Sequence, residues 1–210
     1  MRRSKIVFPM ACLAALVLLA SVPVTADEVL DDLDTFTAQA FAQHLVEKMS
    51  DVEGLQVKVD ADPESALGLA VDNEGVILVP VKGLEEGNED PEVYTEAGAG
   101  LAYLFMSPRF NPVLDGKSVA QDKLHTISFT DDSGNEKKAT CLILTVRNDA
   151  DSWRLYGYGK DAKPLVDAPF SESYEEAESP IAISASSAEE ENSLILTVFG
   201  KYAASFKIGK

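Results

Sequence analysis

Residues 124–148 read LHTISFTDDSGNEKKATCLILTVRN, and this stretch decides the fold class. Two strand-like runs, 124–130 and 138–148, flank a segment made of Asp, Ser, Gly and Asn. β-branched and aromatic residues favour strands, whereas Gly, Asn and Asp favour the turns between them. The stretch therefore predicts a β-hairpin.

The same alternation of apolar runs and turn residues recurs along the chain. Two further hairpins are predicted, 67–71 with 76–81 across residues 72–75, and 194–199 with 202–208 across Gly200-Lys201. We expect Gly75 to supply the left-handed turn conformation in the first of these. Other strand candidates are 153–159 and 181–185, while the apolar run 97–106 fits either a buried strand or a helix.

An amphipathic helix is predicted before the strands, over residues 27–54. Apolar residues recur there at a spacing of three or four, which places them on one helix face. They are Val29, Leu30, Leu33, Phe36, Ala40, Phe41, Leu45 and Met49. Acidic residues early in this segment suit the positive end of the helix dipole, and Gly54 follows its end.

These patterns predict a mainly β (α+β) fold, in which the N-terminal amphipathic helix packs on an antiparallel β-sandwich or a barrel-like sheet. Residues 55–210 form the β-rich domain, and a boundary near 91–112 would divide it if it has two lobes. No internal repeat of fixed period is found, which disfavours a propeller or a solenoid.

The first 26 residues have the three parts of a secretory signal. Three basic residues lie within the first five positions, the apolar run Ile6–Ala20 follows, and Val24-Thr25-Ala26 precedes the expected cleavage point. We therefore expect an exported protein, periplasmic or extracellular, with no integral membrane span after cleavage. An uncleaved N-terminus that anchors the domain outside the membrane is the alternative.

The chain is strongly acidic, with 18 Lys and Arg against 35 Asp and Glu and a formal net charge of −17. Nucleic acid binding depends on Lys and Arg that displace counterions from phosphates, so we expect no nucleic acid partner. Removal of residues 1–26 leaves Cys141 as the only cysteine, so no internal disulfide forms. Its apolar neighbours predict a buried, unreactive thiol.

The usual catalytic motifs are absent. The chain has neither a Gly-x-Ser-x-Gly elbow nor a phosphate-binding glycine loop, and His44, His125 and Cys141 have no zinc-ligand spacing. His125 shares a strand face with Ile127 and Phe129, which predicts a partly buried histidine that hydrogen-bonds a neighbour. The leading interpretation is an exported, non-catalytic protein with a binding or envelope or extracellular structural role; a secreted carboxylate-dependent hydrolase is the alternative.

One candidate ligand-binding surface is the tyrosine row, which comprises Arg154, Tyr156, Tyr158 and Lys160. In an extended strand these four residues share a face. Tyrosine rings with cations beside them can stack on sugars or contact a protein surface. The row therefore predicts a protein or glycan partner, with an ordinary strand face as the alternative.

The second candidate is the acidic turn, which comprises Asp131, Asp132, Asn135 and Glu136 around Gly134. Several side-chain oxygens in one turn suit calcium, although their spacing differs from that of the twelve-residue calcium loop. Calcium is the one cofactor that the sequence suggests, and an ordinary hairpin turn is the alternative.

Overall fold

The computed structural model describes residues 30–85, 97–130, 134, 136–149, 152–174, 179–188 and 191–209. Within these ranges the protein is mainly β, with antiparallel strand pairs and one α-helix, which confirms the mainly β prediction. The predicted signal segment 1–26 lies outside the described residues. The two-lobe division near 91–112 stays a prediction.

The helix α1 spans Thr35–Ser50. The strands that the structure describes, in chain order, are β1 Asp31–Asp32, β2 Leu67–Val71, β3 Glu74–Pro80, β4 Ala99–Met106, β5 Val113–Leu114, β6 Lys117–Ser118, β7 His125–Thr130, β8 Glu136–Asp149, β9 Ser152–Tyr158, β10 Val166–Pro169, β11 Ser171–Glu172, β12 Ile181–Ala188, β13 Glu191–Val198 and β14 Tyr202–Ile208. The apolar run 97–106, for which the sequence left two choices, is therefore a strand from Ala99 onward.

Two main sheets contain most of these strands. The larger has the order β1-β2-β3-β4-β8-β9-β10, and β7 also pairs with β8. β8 accommodates three partners because β4 pairs with one edge, while β7 and β9 lie end to end along the other. The smaller sheet has the order β11-β14-β13-β12, and β5 and β6 form a short separate ribbon.

The turn between β2 and β3 differs in detail from its prediction. Between β2 and β3 the left-handed residues are Asp72 and Asn73, with φ of 51° and 63°, so the assignment to Gly75 was wrong. Positive φ at both central residues is typical of a two-residue hairpin turn. Gly75 instead permits a close backbone approach, since a Cβ there would lie 2.1 Å from the Leu69 carbonyl oxygen.

The helix is shorter than the predicted 27–54. The Asp34 carboxylate accepts a hydrogen bond from the Thr37 N–H at 3.0 Å, so the helix begins immediately after this cap. Upstream, Asp31–Asp32 is a strand, and the Leu33 N–H donates to the Gly68 carbonyl at 2.9 Å. Because residues 31–33 pair with β2 in this way, they are not part of the helix.

The buried face of α1 also differs from the predicted one. Its buried residues are Ala38, Ala42, Leu45 and Met49. Phe36 is 80% exposed and Phe41 is 42% exposed, so their assignment to the buried face was wrong. The small alanines are the fully buried residues of α1, whereas Phe36 is mostly in solvent and Phe41 is half exposed beside Phe129.

Buried side chains form two clusters, and alternate residues of β8 belong to one or to the other. Leu142 and Leu144 of β8 belong to an inner cluster together with Leu194 and Leu196 of the smaller sheet. Cys141 and Ile143 belong to an outer cluster, which also contains Ala42, Leu45 and Met49 of α1. β8 is thus apolar on both faces, which explains its uninterrupted apolar run.

Candidate functional site

The structure brings three members of the tyrosine row onto one face of the sheet. Tyr156 and Tyr158 are only 4% and 3% exposed, and their ring centroids lie 6.4 Å apart. Arg154 is half-buried, and its Nε donates to the Asp167 Oδ1 at 2.6 Å. Lys160 lies beyond the end of β9 and is exposed. The two rings therefore offer little area to a ligand, and the ligand-binding role of the row stays a prediction.

Two residues of β8 complete a polar network around Tyr156. The Arg147 guanidinium carbon lies 4.5 Å from the centroid of the Tyr156 ring. Arg147 Nε and Nη2 each donate to the Asp149 carboxylate at 2.8 Å, and the Tyr156 hydroxyl donates to the same carboxylate. This network holds the Tyr156 ring in one orientation.

The network shifts the titration of its members in opposite directions. Hydrogen bonds from Arg147, and then from Tyr156, lower the pKa of the Asp149 carboxyl. Desolvation, together with the hydrogen bond to Asp149, raises the pKa of the Tyr156 hydroxyl. The ionised carboxylate and the neutral phenol are therefore the forms present at neutral pH. Sequence reasoning missed Arg147 and Asp149 because they meet Tyr156 only across the β8–β9 pairing.

The acidic turn lies mostly outside the described residues. Of its four members only Glu136 is described, as the exposed first residue of β8. Among the described residues, no three His, Cys, Asp or Glu side chains come close enough together to hold a metal ion. The calcium prediction stays a prediction.

His125 and Cys141 lie directly opposite each other on β7 and β8. His125 is 4% exposed, and in the described part of the chain its Nε2 is the one buried side-chain polar atom without a hydrogen-bond partner. Desolvation lowers the pKa of His125, a backbone hydrogen bond at Gly159 opposes the shift, and the Lys160 charge adds to it. Burial raises the pKa of the fully buried Cys141 thiol, which keeps it protonated.

A cavity that the sequence did not predict is lined by residues of α1 and by residues of strands of the larger sheet. We call it the α1 cavity; its volume is about 280 Å³. Its apolar lining includes Phe41, Leu45, Ile77, Phe105, Phe129 and Ala139. Phe41 and Phe129 meet edge to face, with ring centroids 6.3 Å apart. Because a cavity is the space left between packed elements, no local sequence pattern marks it.

Polar residues line one end of the α1 cavity, next to the β2–β3 turn. They include Asn73, Glu74 and Ser107. The Ser107 hydroxyl accepts a hydrogen bond from the Gly75 N–H at 3.1 Å, and Arg109 Nη1 donates to the Glu74 carboxylate at 3.4 Å. An apolar interior with a few fixed polar groups at one end is typical of a small-molecule site.

Comparison of the chain with protein-family models, with curated proteins and with solved structures found no match in any of the three. None of the helices in the described ranges is long and apolar enough to cross a membrane.

Proposed function

We propose that this is an exported, non-catalytic binding protein that holds a small, largely apolar molecule in the α1 cavity. The observation that carries the proposal is the cavity itself, with its apolar lining and its polar end. Phe41, which is partly exposed on α1, lies at its lining and gives the ligand a route to the interior.

The size of the cavity limits what it can hold. At about 280 Å³ it lies just below the range of roughly 300–1,000 Å³ that is usual for small-molecule pockets. An apolar cavity of about 150 Å³ is enough to take up benzene. A substituted aromatic ring or a short branched hydrocarbon therefore fits, whereas an oligosaccharide or a folded partner is too large.

The chemistry of the lining favours the same class of ligand. Apolar side chains cannot replace the hydrogen bonds that a sugar hydroxyl makes to water, so a polar ligand would enter at a net cost. An apolar molecule gains about 25 cal/mol for each Å² of its surface that leaves water. A single polar group on the ligand would face the end at Glu74 and Ser107.

We propose in addition that the protein reaches the periplasm or the exterior through the segment 1–26. N-terminal sequencing of protein recovered outside the cell should find Asp27 first. A chain that begins at Met1 would contradict cleavage.

We also propose that the two sheets form a sandwich and that α1 packs on the outer face of the larger sheet. The inner cluster supports the sandwich, because it joins residues of both sheets. The outer cluster supports the position of α1, because it joins residues of α1 and of the larger sheet.

Fluorescence titration with the neutral apolar probe N-phenyl-1-naphthylamine tests the binding proposal. Thr37 lines the cavity, so Thr37→Phe should fill it with a ring while the backbone hydrogen bond to Asp34 remains. We expect the affinity for the probe to fall about tenfold or more, which corresponds to a loss of about 1.4 kcal/mol.

The matched control is Phe36→Ala on the same helix. Phe36 is strongly exposed and does not line the α1 cavity, so its removal should leave the affinity unchanged. Circular dichroism melts should show that both variants fold. Equal probe binding by Thr37→Phe and the unmodified protein would overturn the proposal.

A further inference from the structure

Ser107 is held in the lining of the α1 cavity by two hydrogen bonds to β3. It follows β4 directly, two residues beyond Phe105, and both residues line the cavity. The Ser107 N–H donates to the Gly75 carbonyl at 2.8 Å, and the Ser107 Oγ accepts from the Gly75 N–H at 3.1 Å. Because both bonds join the same two residues, they fix the position of the hydroxyl group at the polar end of the cavity.

The hydroxyl group of Ser107 still has its donor available. A hydroxyl group accepts hydrogen bonds through its lone pairs and donates one through its proton. The Gly75 N–H occupies a lone pair, and no acceptor among the described residues bonds the Ser107 proton. Gly75, which lies opposite Ser107, has no side chain that could cover the hydroxyl group. A molecule in the cavity can therefore accept a hydrogen bond from Ser107.

Two other polar side chains of the lining already have partners. The Asp34 carboxylate accepts hydrogen bonds from both the N–H and the side chain of Thr37. Asn73 is an exposed residue of the β2–β3 turn, so water is a partner for its amide group. A ligand gains little from a hydrogen bond to either side chain, because that bond would only replace an existing one.

Glu74 is the charged residue of the described lining, and its carboxylate has a partner elsewhere. By the alternation of β3, its side chain shares a face with Val76 and Leu78, which belong to the inner cluster. The carboxylate pairs with Arg109, whose Nη1 lies 3.4 Å from Oε2. An ionic ligand would therefore find no unpaired counter-ion among the described residues of the lining, and its charge would enter the cavity at a cost.

We propose that the ligand of the α1 cavity is a small, neutral carbonyl compound with an apolar body, and that the Ser107 hydroxyl selects it. This inference rests on the binding function proposed above for the same cavity. The apolar body would lie against Phe41, Phe105 and Phe129, and the carbonyl oxygen would accept from Ser107. A carbonyl oxygen loses its hydrogen bonds to water when it enters an apolar cavity, and the Ser107 hydroxyl replaces one of them.

Displacement of N-phenyl-1-naphthylamine by two compounds of similar size tests this role of Ser107. Butyrophenone has a carbonyl group, and butylbenzene is the matching hydrocarbon without an acceptor. The measured quantity is the ratio of the two affinities in each protein, so the difference in hydrophobicity between the compounds cancels when proteins are compared. Ser107→Ala removes the hydroxyl group, and we expect the ratio of butyrophenone affinity to butylbenzene affinity to fall about threefold to tenfold.

Further variants separate the hydroxyl group from a general change in packing. Ser107→Thr keeps a hydroxyl group at this position and should keep the affinity ratio of the unmodified protein. Ser128→Ala removes an exposed serine that does not line the cavity, so it should change neither affinity. Ser107→Cys, which offers only a weak donor, is the second test variant if Ser107→Ala does not fold, and it should lower the ratio in the same direction.

The possible results distinguish this inference from the proposed binding function. If the probe does not bind, or if neither compound displaces it, both proposals fail. If both compounds displace the probe and the affinity ratio is the same with and without the hydroxyl group, the binding function stands and selection by Ser107 is overturned. Stronger displacement by 4-phenylbutylamine than by butyrophenone, lost in Glu74→Gln, would assign the selection to the Glu74 charge and would also overturn it.

Discussion

The two faces of the larger sheet have opposite packing properties. On the inner face, the polar side chains Asn111 and Thr140 bond each other at 2.7 Å, and Asn111 also donates to the Val119 carbonyl at 3.0 Å. On the outer face, His125 Nε2 has no partner and the α1 cavity remains open. Among the described residues, the polar groups of the inner face are thus paired, whereas the outer face contains open space and one buried nitrogen without a partner.

Removal of a large inner side chain should have the largest effect. Leu144 is fully buried in the inner cluster, so Leu144→Ala should lower the free energy of unfolding by about 2–5 kcal/mol. Phe41→Ala, at the lining of the α1 cavity, should cost less because that ring is partly exposed already. Urea denaturation measures both values. Equal losses of unfolding free energy in Leu144→Ala and Phe41→Ala would show that the two faces of the sheet do not differ in their contribution to stability.

A pH-dependent loss of stability should come from His125. Its pKa in the folded protein lies below its ordinary value of 6.5, so the unfolded chain binds the proton more readily. The stability is therefore complete above about pH 6.5 and declines as the pH falls through the folded pKa of His125. Urea midpoints between pH 7.5 and 5.5 measure the decline.

The two histidines allow a matched comparison. His125→Gln should flatten the pH dependence of the urea midpoint, because glutamine does not titrate in this range. His44→Gln, which changes an exposed residue on α1, should leave it as it is. The same slope in both variants would show that His125 does not contribute.

The smallest effect should come from the Tyr156 network. Tyr156→Phe removes the hydroxyl that donates to Asp149 and keeps the ring beneath Arg147, so we expect a loss of about 0.5–1.5 kcal/mol. Asp149 is partly exposed, and solvent weakens its pairing with Arg147. Tyr202→Phe, at a more exposed tyrosine, is the control. Chemical denaturation that gave the same loss for both would exclude a stabilising role of the network.

Local patterns predicted the strands well because the information for a hairpin lies within a few residues. The pairs β2–β3, β7–β8 and β13–β14 all follow from adjacent apolar runs. The partnership of β8 with β4 could not be predicted in this way, since a strand does not encode which distant strand it joins. The face of α1 was misjudged at Phe36 and Phe41 because hydrophobicity alone ranked these rings above the small alanines that pack closest.

The candidate sites were harder to predict for the same reason. Sequence spacing correctly placed Arg154, Tyr156 and Tyr158 on one face, but it could not show that two of the rings are buried. The α1 cavity arises from how elements meet, and it has no motif of its own.

The end-to-end arrangement of β7 and β9 along β8 has a consequence for the order of assembly. Each joins β8 through a short connection in the sequence, so both pairings close small loops at low entropic cost. β4 joins the opposite edge over a longer separation, with Met106 opposite Thr140. We therefore expect the β7–β8–β9 unit to form early and to serve as the template on which β4, and then the rest of the larger sheet, is added.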